Sequence, residues 1–176
     1  MSKLFVNEMR GNTTNTVFKN TSGTTAMSIS SGGIITKPLT PAWFVGKTGT
    51  SHAAQNPVVF DDVDVNVGSI YNSTTGKVTI PVAGNYYLFF KILSRNGSVG
   101  SSGQAQVRIN RQPSGGSNAV IPHSYQYGNT ADSGQYFSLH TACIATLALN
   151  DDITCQTDYQ GYTGDGYTAF GGYLIG

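Results

Sequence analysis

The chain has 176 residues, of which Gly (22), Thr (20), Ser (17) and Asn (13) supply 72, while Glu occurs once, at Glu8; such a mix of turn formers and β-branched residues excludes a helical bundle. Ten Lys and Arg stand against nine Asp and Glu, with no like-charge run longer than Asp61-Asp62, so there is no electrostatic footprint for nucleic acid or an anionic membrane. The longest apolar stretches, such as Tyr86 to Phe90, fall far short of the ~20 residues that span a bilayer, and no membrane insertion is expected.

Met1 to Arg10 lacks the apolar centre of a signal peptide, which points to synthesis in the cytoplasm. Up to residue 40 the apolar residues come in islands, Leu4-Phe5-Val6, Val17-Phe18, Met27 with Ile29, and Ile34-Ile35, separated by turn formers such as Asn20-Thr21-Ser22-Gly23 and Ser31-Gly32-Gly33. Islands this small bury too little area to offset the entropy of ordering. The segment is therefore either disordered or ordered against something else, and its alternation, as in Ala26-Met27-Ser28-Ile29-Ser30, favours the second, as a short extended β segment. The prolines of Lys37-Pro38-Leu39-Thr40-Pro41 mark a boundary, dividing the chain into an attachment or oligomerisation segment, 1–40, and a domain, 41–176.

Beyond it, strands bounded by turn signals recur at short spacing, which reads as an all-β sandwich or barrel. The predicted strands are Ala42 to Lys47, Val58 to Val63, Gly68 to Tyr71, Lys77 to Ile80, Asn85 to Leu93, Gln104 to Asn110, Val120 to Tyr127, Gln135 to Leu149, Ile153 to Asp158 and Gly166 to Ile175. Turns are expected at Asn72 to Gly76, Val82 to Gly84, Asn150-Asp151 and Gly161 to Gly164, among others.

Three of these strands are apolar on both faces, where alternation should leave one face polar. Tyr86, Leu88, Phe90 and Ile92 share a face, yet Tyr87 and Phe89 occupy the other. Likewise Leu139, Cys143, Leu147 and Leu149 oppose Ala142, Ile144 and Ala148, and Tyr173 and Ile175 oppose Phe170 and Leu174. A two-layer sandwich has one inner face per sheet, so the surplus face calls for another partner, and a second copy of the chain supplies one.

The block Asn66-Val67-Gly68-Ser69-Ile70-Tyr71-Asn72, Thr75-Gly76-Lys77-Val78, Pro81-Val82-Ala83-Gly84 and Tyr86-Tyr87-Leu88-Phe89, with the later Leu147 to Ile153 and Phe170-Gly171-Gly172-Tyr173-Leu174, resembles the jelly-roll superfamily of complement-type globular heads and tumour necrosis factor. The resemblance covers roughly residues 41–176. It implies a jelly-roll β-sandwich forming a homotrimer whose central aromatic and aliphatic residues pack about a threefold axis. With the surplus faces above, it makes Tyr87, Phe89, Ile144, Phe170 and Tyr173 the candidate trimer interface. Asn150 stands where the family has a turn glycine and tolerates positive φ nearly as well, so a hairpin is expected there.

The opening residues Leu4 to Asn12, the Met27-Ser28-Ile29 segment and Pro38 to Phe44 resemble short virion proteins of tailed bacteriophages, notably marine and cyanobacterial ones. That resemblance implies a non-enzymatic virion structural protein on the outer surface of the particle, made in the host cytoplasm. The expected role is a trimeric capsid decoration, or cement, protein. Leu4, Val6 and Val17 would attach it to the major capsid protein or another virion protein. The alternatives are a tail-fibre or receptor-binding head that recognises a host-surface glycan or protein, and a soluble cytokine-like ligand, which would require secretion.

No catalytic, metal or cofactor site is expected. His140 and Cys143, the one Cys/His proximity in sequence, lie three residues apart on a predicted strand and so point to opposite faces. Cys143 and Cys155 form no CxxC and are expected as free thiols. Asp61, Asp62 and Asp64, like Asp151 and Asp152, are close in sequence, but without alternating ligands and a closing Glu they read as solvated acidic loops. Tyr125, Tyr127, Tyr159, Tyr162 and Tyr167, in or beside Gly-rich segments, form the candidate ligand surface, since Tyr supplies contact area at little entropy cost; alternatively they cover the open ends of the roll.

Overall fold

The computed structural model describes residues 15–49, 51–52, 56–95, 104–129, 136–158, 161–162 and 166–175. Among these residues all regular structure is β, and they fall into two compact units that divide between Thr40 and Pro41.

The first unit holds β1 (Asn15–Lys19), β2 (Thr25–Ser30) and β3 (Ile35–Thr36) in one antiparallel sheet. Its turns are built locally. Asn20 Oδ1 accepts the N–H groups of Ser22 and Thr24 at 3.1 and 2.9 Å, Ser30 Oγ accepts that of Ile34 at 3.0 Å, and Gly23 and Gly33 take φ of 82° and 77°. A single layer has nothing to bury against, and none of the described residues of this unit is buried.

The second unit is a two-sheet sandwich. Its strands are β4 (Ala42–Gly46), β5 (Ser51–His52), β6 (Asp62–Val67), β7 (Tyr71–Asn72), β8 (Lys77–Thr79), β9 (Gly84–Arg95), β10 (Gln104–Gln112), β11 (Ala119–Asn129), β12 (Tyr136–Leu147), β13 (Asp152–Thr157), β14 (Gly161–Tyr162) and β15 (Ala169–Leu174). A 7-stranded sheet runs β5-β14-β9-β15-β4-β6 with β12 on the other side of β9, and a 5-stranded sheet runs β11-β10-β13-β8-β7. Inward residues alternate with outward ones as the pleat requires. Trp43, Val45, Leu88, Phe90 and Phe170 meet Val78, Val107, Ile109, Ile153 and Cys155 in one core, and Phe60 joins it with its ring 5.9 Å from Phe170 and 6.2 Å from Phe90. This is a jelly-roll β-sandwich.

The Asn66-to-Gly76 block works as a clamp. Asn66 pairs with the Tyr71 backbone through both ends of its carboxamide, accepting the Tyr71 N–H at 2.9 Å and donating to its carbonyl at 3.1 Å, around a turn in which Gly68 and Ser69 take φ of 82° and 54°. The Tyr71 hydroxyl, in turn, accepts the Phe60 N–H and donates to the Phe60 carbonyl, both at 2.8 Å. Asn72 Oδ1 caps Thr74 N–H and Thr75 N–H at 2.9 and 3.2 Å. This corrects the expected strand at Val58 to Val63. Val58 and Phe60 are buried but outside a ladder, because the Tyr71 hydroxyl takes the Phe60 backbone groups and Val58 N–H reaches Cys155 O at 2.7 Å. The strand begins only at Asp62.

Burial pushes the Tyr71 phenol up to about 12; the Phe60 N–H opposes this, and nearby Cys155 and Asp61 add to it. An unfolded tyrosine ionises near ~10. The stability this raised value contributes is therefore complete below about pH 10 and is lost as pH rises through about 12. Denaturant unfolding across that window is expected to show a fall in stability that Tyr71→Phe makes shallower. At neutral pH that variant costs ~1–3 kcal/mol for the Phe60 groups left unpaired. An unchanged pH slope would show that Tyr71 does not carry the effect.

The expected hairpin at Asn150 is instead a crossover between the layers. Asn150 does take φ of 65°, but β12 pairs with β9 whereas β13 pairs with β10 and β8. The turn is pinned to its surroundings: Asp151 Oδ2 accepts Ala148 N–H at 2.7 Å, and Asn150 N–H and Asp151 O bond the Ile80 backbone at 2.8 and 2.9 Å. Arg111 Nε lies 2.7 Å from the buried Asp151 carboxylate, a charge contact off the axis of the N–H. Asp152 pairs with Lys77 at 2.9 Å. The reading of Asp151 and Asp152 as a solvated loop is thus overturned, because both carboxylates serve the packing of this corner.

Candidate interaction surfaces

In β9, Tyr86, Leu88, Phe90 and Ile92 are buried in the core, which turns Tyr87 and Phe89 to the outside of the 7-stranded sheet. Register then builds two apolar rows across that outer face. One passes from Ile144 to Tyr87, Tyr173, Ala42 and Val67; the other from Ala142 to Phe89, Gly171, Phe44 and Val65. Ring centroids lie 5.6 Å apart for Tyr87 and Tyr173, 6.3 Å for Tyr87 and Phe89, and 5.9 Å for Phe44 and Phe89. Gly171 permits the last contact, since a Cβ there would sit 2.5 Å from the Phe89 ring.

Ile144 is 68% exposed and Tyr173 50%. On one side the rows end at a polar row of His140, Lys91 and Asp62, and on the other at the Thr146–Asn85 hydrogen bond of 2.8 Å. An apolar centre with a polar rim is the anatomy of a protein interface. Beside Ile144, a cavity of about 420 Å³ opens between β12 and the irregular part of β11, where Val120, Pro122 and His123 line it.

Four of the five candidate trimer residues, Tyr87, Phe89, Ile144 and Tyr173, meet on this face. Phe170 does not: it is 0% exposed, packed 5.5 Å from Trp43 inside the sandwich. Its side of β15 is set by Gly172, where a Cβ would come within 2.6 Å of Trp43, so the strand seats a glycine and a phenylalanine on the core side. Phe170 is corrected to a core residue.

The outer face of the 5-stranded sheet has the opposite character. Lys77 pairs with Asp152 at 2.9 Å, Arg108 with Asp158 at 2.8 Å, and Asn110 donates to Gln156 at 3.2 Å. On this sheet Tyr125 and Tyr127 project from β11, 52% and 55% exposed, with rings 5.4 Å apart at an interplanar angle of 85°.

The candidate ligand tyrosines do not form one cluster. Tyr167 belongs with the other sheet, its carbonyl accepting Leu93 N–H at 3.1 Å, as does the backbone of Tyr162 in β14, and Tyr159 lies outside the described residues. Proximity to glycine is a property of sequence and carries no information about layer. Of the attachment residues, Val17 is exposed on β1, whereas Leu4 and Val6 lie outside the described residues.

His140 is exposed and Cys143 half-buried on the core side of β12, so the two lie on opposite faces. Both cysteines are free thiols, and burial pushes both up, Cys155 far above the ordinary thiol range with Cys143 nearby adding to it. Asp61 Oδ1 accepts Thr48 N–H at 2.7 Å; burial alone would raise this carboxyl, but Thr48 and the charge of Lys47 hold it low.

Residues 42–175 match the sequence profile of the C1q domain. The chain belongs to the C1q domain family. Among solved structures, the globular domain of zebrafish complement 1qA is similar to this C1q domain with a TM-score of 0.59 and 21% identity, over 78% of this chain and 98% of that one. Eiger TNF from S. frugiperda gives 0.66 and 14% over 80% and 94%, and murine APRIL at pH 5.0 gives 0.61 and 14% over 77% and 99%. At these identities the likeness is one of fold, and the C1q domain shares its jelly roll with these TNF-type proteins.

Proposed function

We propose that this C1q domain assembles as a homotrimer through the outer face of its 7-stranded sheet, and that the trimer is a non-enzymatic virion head: a capsid decoration protein of a tailed bacteriophage, held to the particle by residues 1–40. The observation that carries the assembly is the pair of apolar rows through Ile144, Tyr87 and Tyr173 and through Phe89 and Phe44. Such a face costs free energy while it stays in water. The cavity beside Ile144 offers a recess for a side chain of a sister chain. The virion role is supported by the resemblance of the opening segment to phage proteins and by a first unit whose described residues bury nothing among themselves.

Deleting residues 1–38 is expected to leave a folded trimer that no longer binds the particle, as read by cosedimentation with particles lacking the protein. Truncated heads that still decorate the particle would overturn the attachment role. The second reading, a distal head that recognises the host surface, is favoured by the exposed Tyr125–Tyr127 pair. Electron microscopy of labelled particles separates the two: label on the head shell supports decoration, and label at the distal tail supports adsorption.

A further inference from the structure

The outer face of the 5-stranded sheet carries a patch that neither the fold nor the proposed assembly uses. Tyr125 and Tyr127 stand on β11 with rings 5.4 Å apart, and register sets Arg108 opposite Tyr125 and Gln106 opposite Tyr127 on β10, with Gln156 of β13 opposite Arg108 in turn. Arg108 Nη2 lies 2.8 Å from both oxygens of Asp158, and Gln156 Nε2 donates to the same carboxylate at 3.0 Å. The polar groups are thereby held in place before any ligand arrives, and β11 is tied to β12 by Gln126 Oε1, which accepts His140 N–H at 2.8 Å.

We propose that this patch, Tyr125 and Tyr127 with Gln106, Arg108, Gln156 and Asp158, is a binding site for a neutral carbohydrate. The chemistry selects the occupant. Tyrosine faces accept the C–H side of a pyranose ring, and planar amide, guanidinium and carboxylate groups match hydroxyls that both donate and accept. Charge complementarity excludes the main competitors. Among the described residues of the patch the one cation, Arg108, is neutralised by Asp158, which leaves no net charge there for a phosphate, a nucleic acid or an acidic sugar. Around two rings the surface is polar, without the apolar core that a stable protein interface of ~1,200 Å² or more requires. The inference gives a ligand class to the Tyr125–Tyr127 pair on which the second reading rests, and its test uses the free protein, so its outcome is separate from where the protein sits on a particle.

The test is binding of the full-length protein to an array of immobilised oligosaccharides ending in glucose, galactose, mannose or N-acetylglucosamine, with sialylated and sulfated counterparts. Retention on one or more neutral glycans is expected. Tyr125→Ala and Tyr127→Ala should each weaken it roughly tenfold, given the worth of an aromatic contact, and Tyr125→Phe should retain most of it. Tyr167→Ala, on the other sheet, should leave it unchanged. Both alanine positions are about half exposed, so the variants remain folded, which circular dichroism checks. A blank array, retention confined to acidic glycans, or binding insensitive to both alanine variants would overturn the proposal.

Discussion

Ile144→Asp is expected to leave the jelly roll folded and to return the assembled protein to monomers. At 68% exposure on the outer face of β12, the side chain adds little to the single chain, and surface substitutions of this kind fall within about 0.5 kcal/mol. In the trimer the same position would bury an unpaired carboxylate, which costs several kcal/mol per ion, once in every subunit. Phe89→Ala and Tyr87→Ala are companions that remove apolar area instead. Truncating a tightly packed aromatic costs ~3–5 kcal/mol, and both residues pack against neighbours within their own sheet, so these variants lose some stability of the single chain as well. Sedimentation velocity with circular dichroism separates assembly from folding. An Ile144→Asp protein that stays trimeric at low micromolar concentration would show that the contact lies elsewhere.

Gly76→Ala should be among the most damaging single-methyl substitutions in the chain. Gly76 takes φ of 70°, and its added Cβ would stand 2.5 Å from the Val58 carbonyl oxygen and 3.3 Å from Val59 Cα. The atoms in the way are backbone, not the movable end of a side chain. Val58 itself is buried, with its N–H bonded to Cys155 O at 2.7 Å, so relief of the clash must disturb the core. Positive φ costs ~1 kcal/mol and overpacking ~1–3 kcal/mol more, which makes ~3 kcal/mol a reasonable expectation. Gly115→Ala is the control, since Gly115 has φ of 73° with nothing within 4 Å of the added carbon. Chemical denaturation should show the second variant losing ~1 kcal/mol. Equal losses would mean that backbone conformation alone, and not the approach to Val58, governs the site.

Strand positions are readable in this sequence because alternation is local: Tyr86, Leu88, Phe90 and Ile92 in β9, and Val107 and Ile109 in β10, are buried at every second position. Layer membership is not local. β12 and β13 are consecutive and joined by residues that tolerate positive φ, which fits a hairpin and a crossover equally. What separates them is the burial of Asp151 against Arg111 from a strand forty residues earlier in the chain. The facing of β15 is likewise invisible in its own residues, since Phe170 and Tyr173 flank two glycines that carry no polarity signal. It is decided by Trp43 and Phe89, whose rings occupy the spaces the glycines leave. The same limit scattered the tyrosine set, of which Tyr125 and Tyr127 meet on β11 and Tyr167 belongs with the other layer. The double-apolar strands, by contrast, mark a second apolar face through their alternation alone, and Tyr87, Phe89, Ile144 and Tyr173 do meet on one outer surface.

In the 7-stranded sheet β15 lies between β9 and β4. Of the described strands, the last to leave the ribosome is therefore the one that fills the middle of the sheet and not its margin. Until residues 169–174 exist, that sheet consists of two fragments, β5-β14-β9-β12 and β4-β6, each with an open edge. Open edges beside apolar faces are templates for wrong pairing, and a sheet that must join residue 42 to residue 173 closes slowly because the loop is long. Among the described strands β15 alone pairs with both β9 and β4, so a chain that stops short of Ala169 would leave the two fragments with no strand to join them.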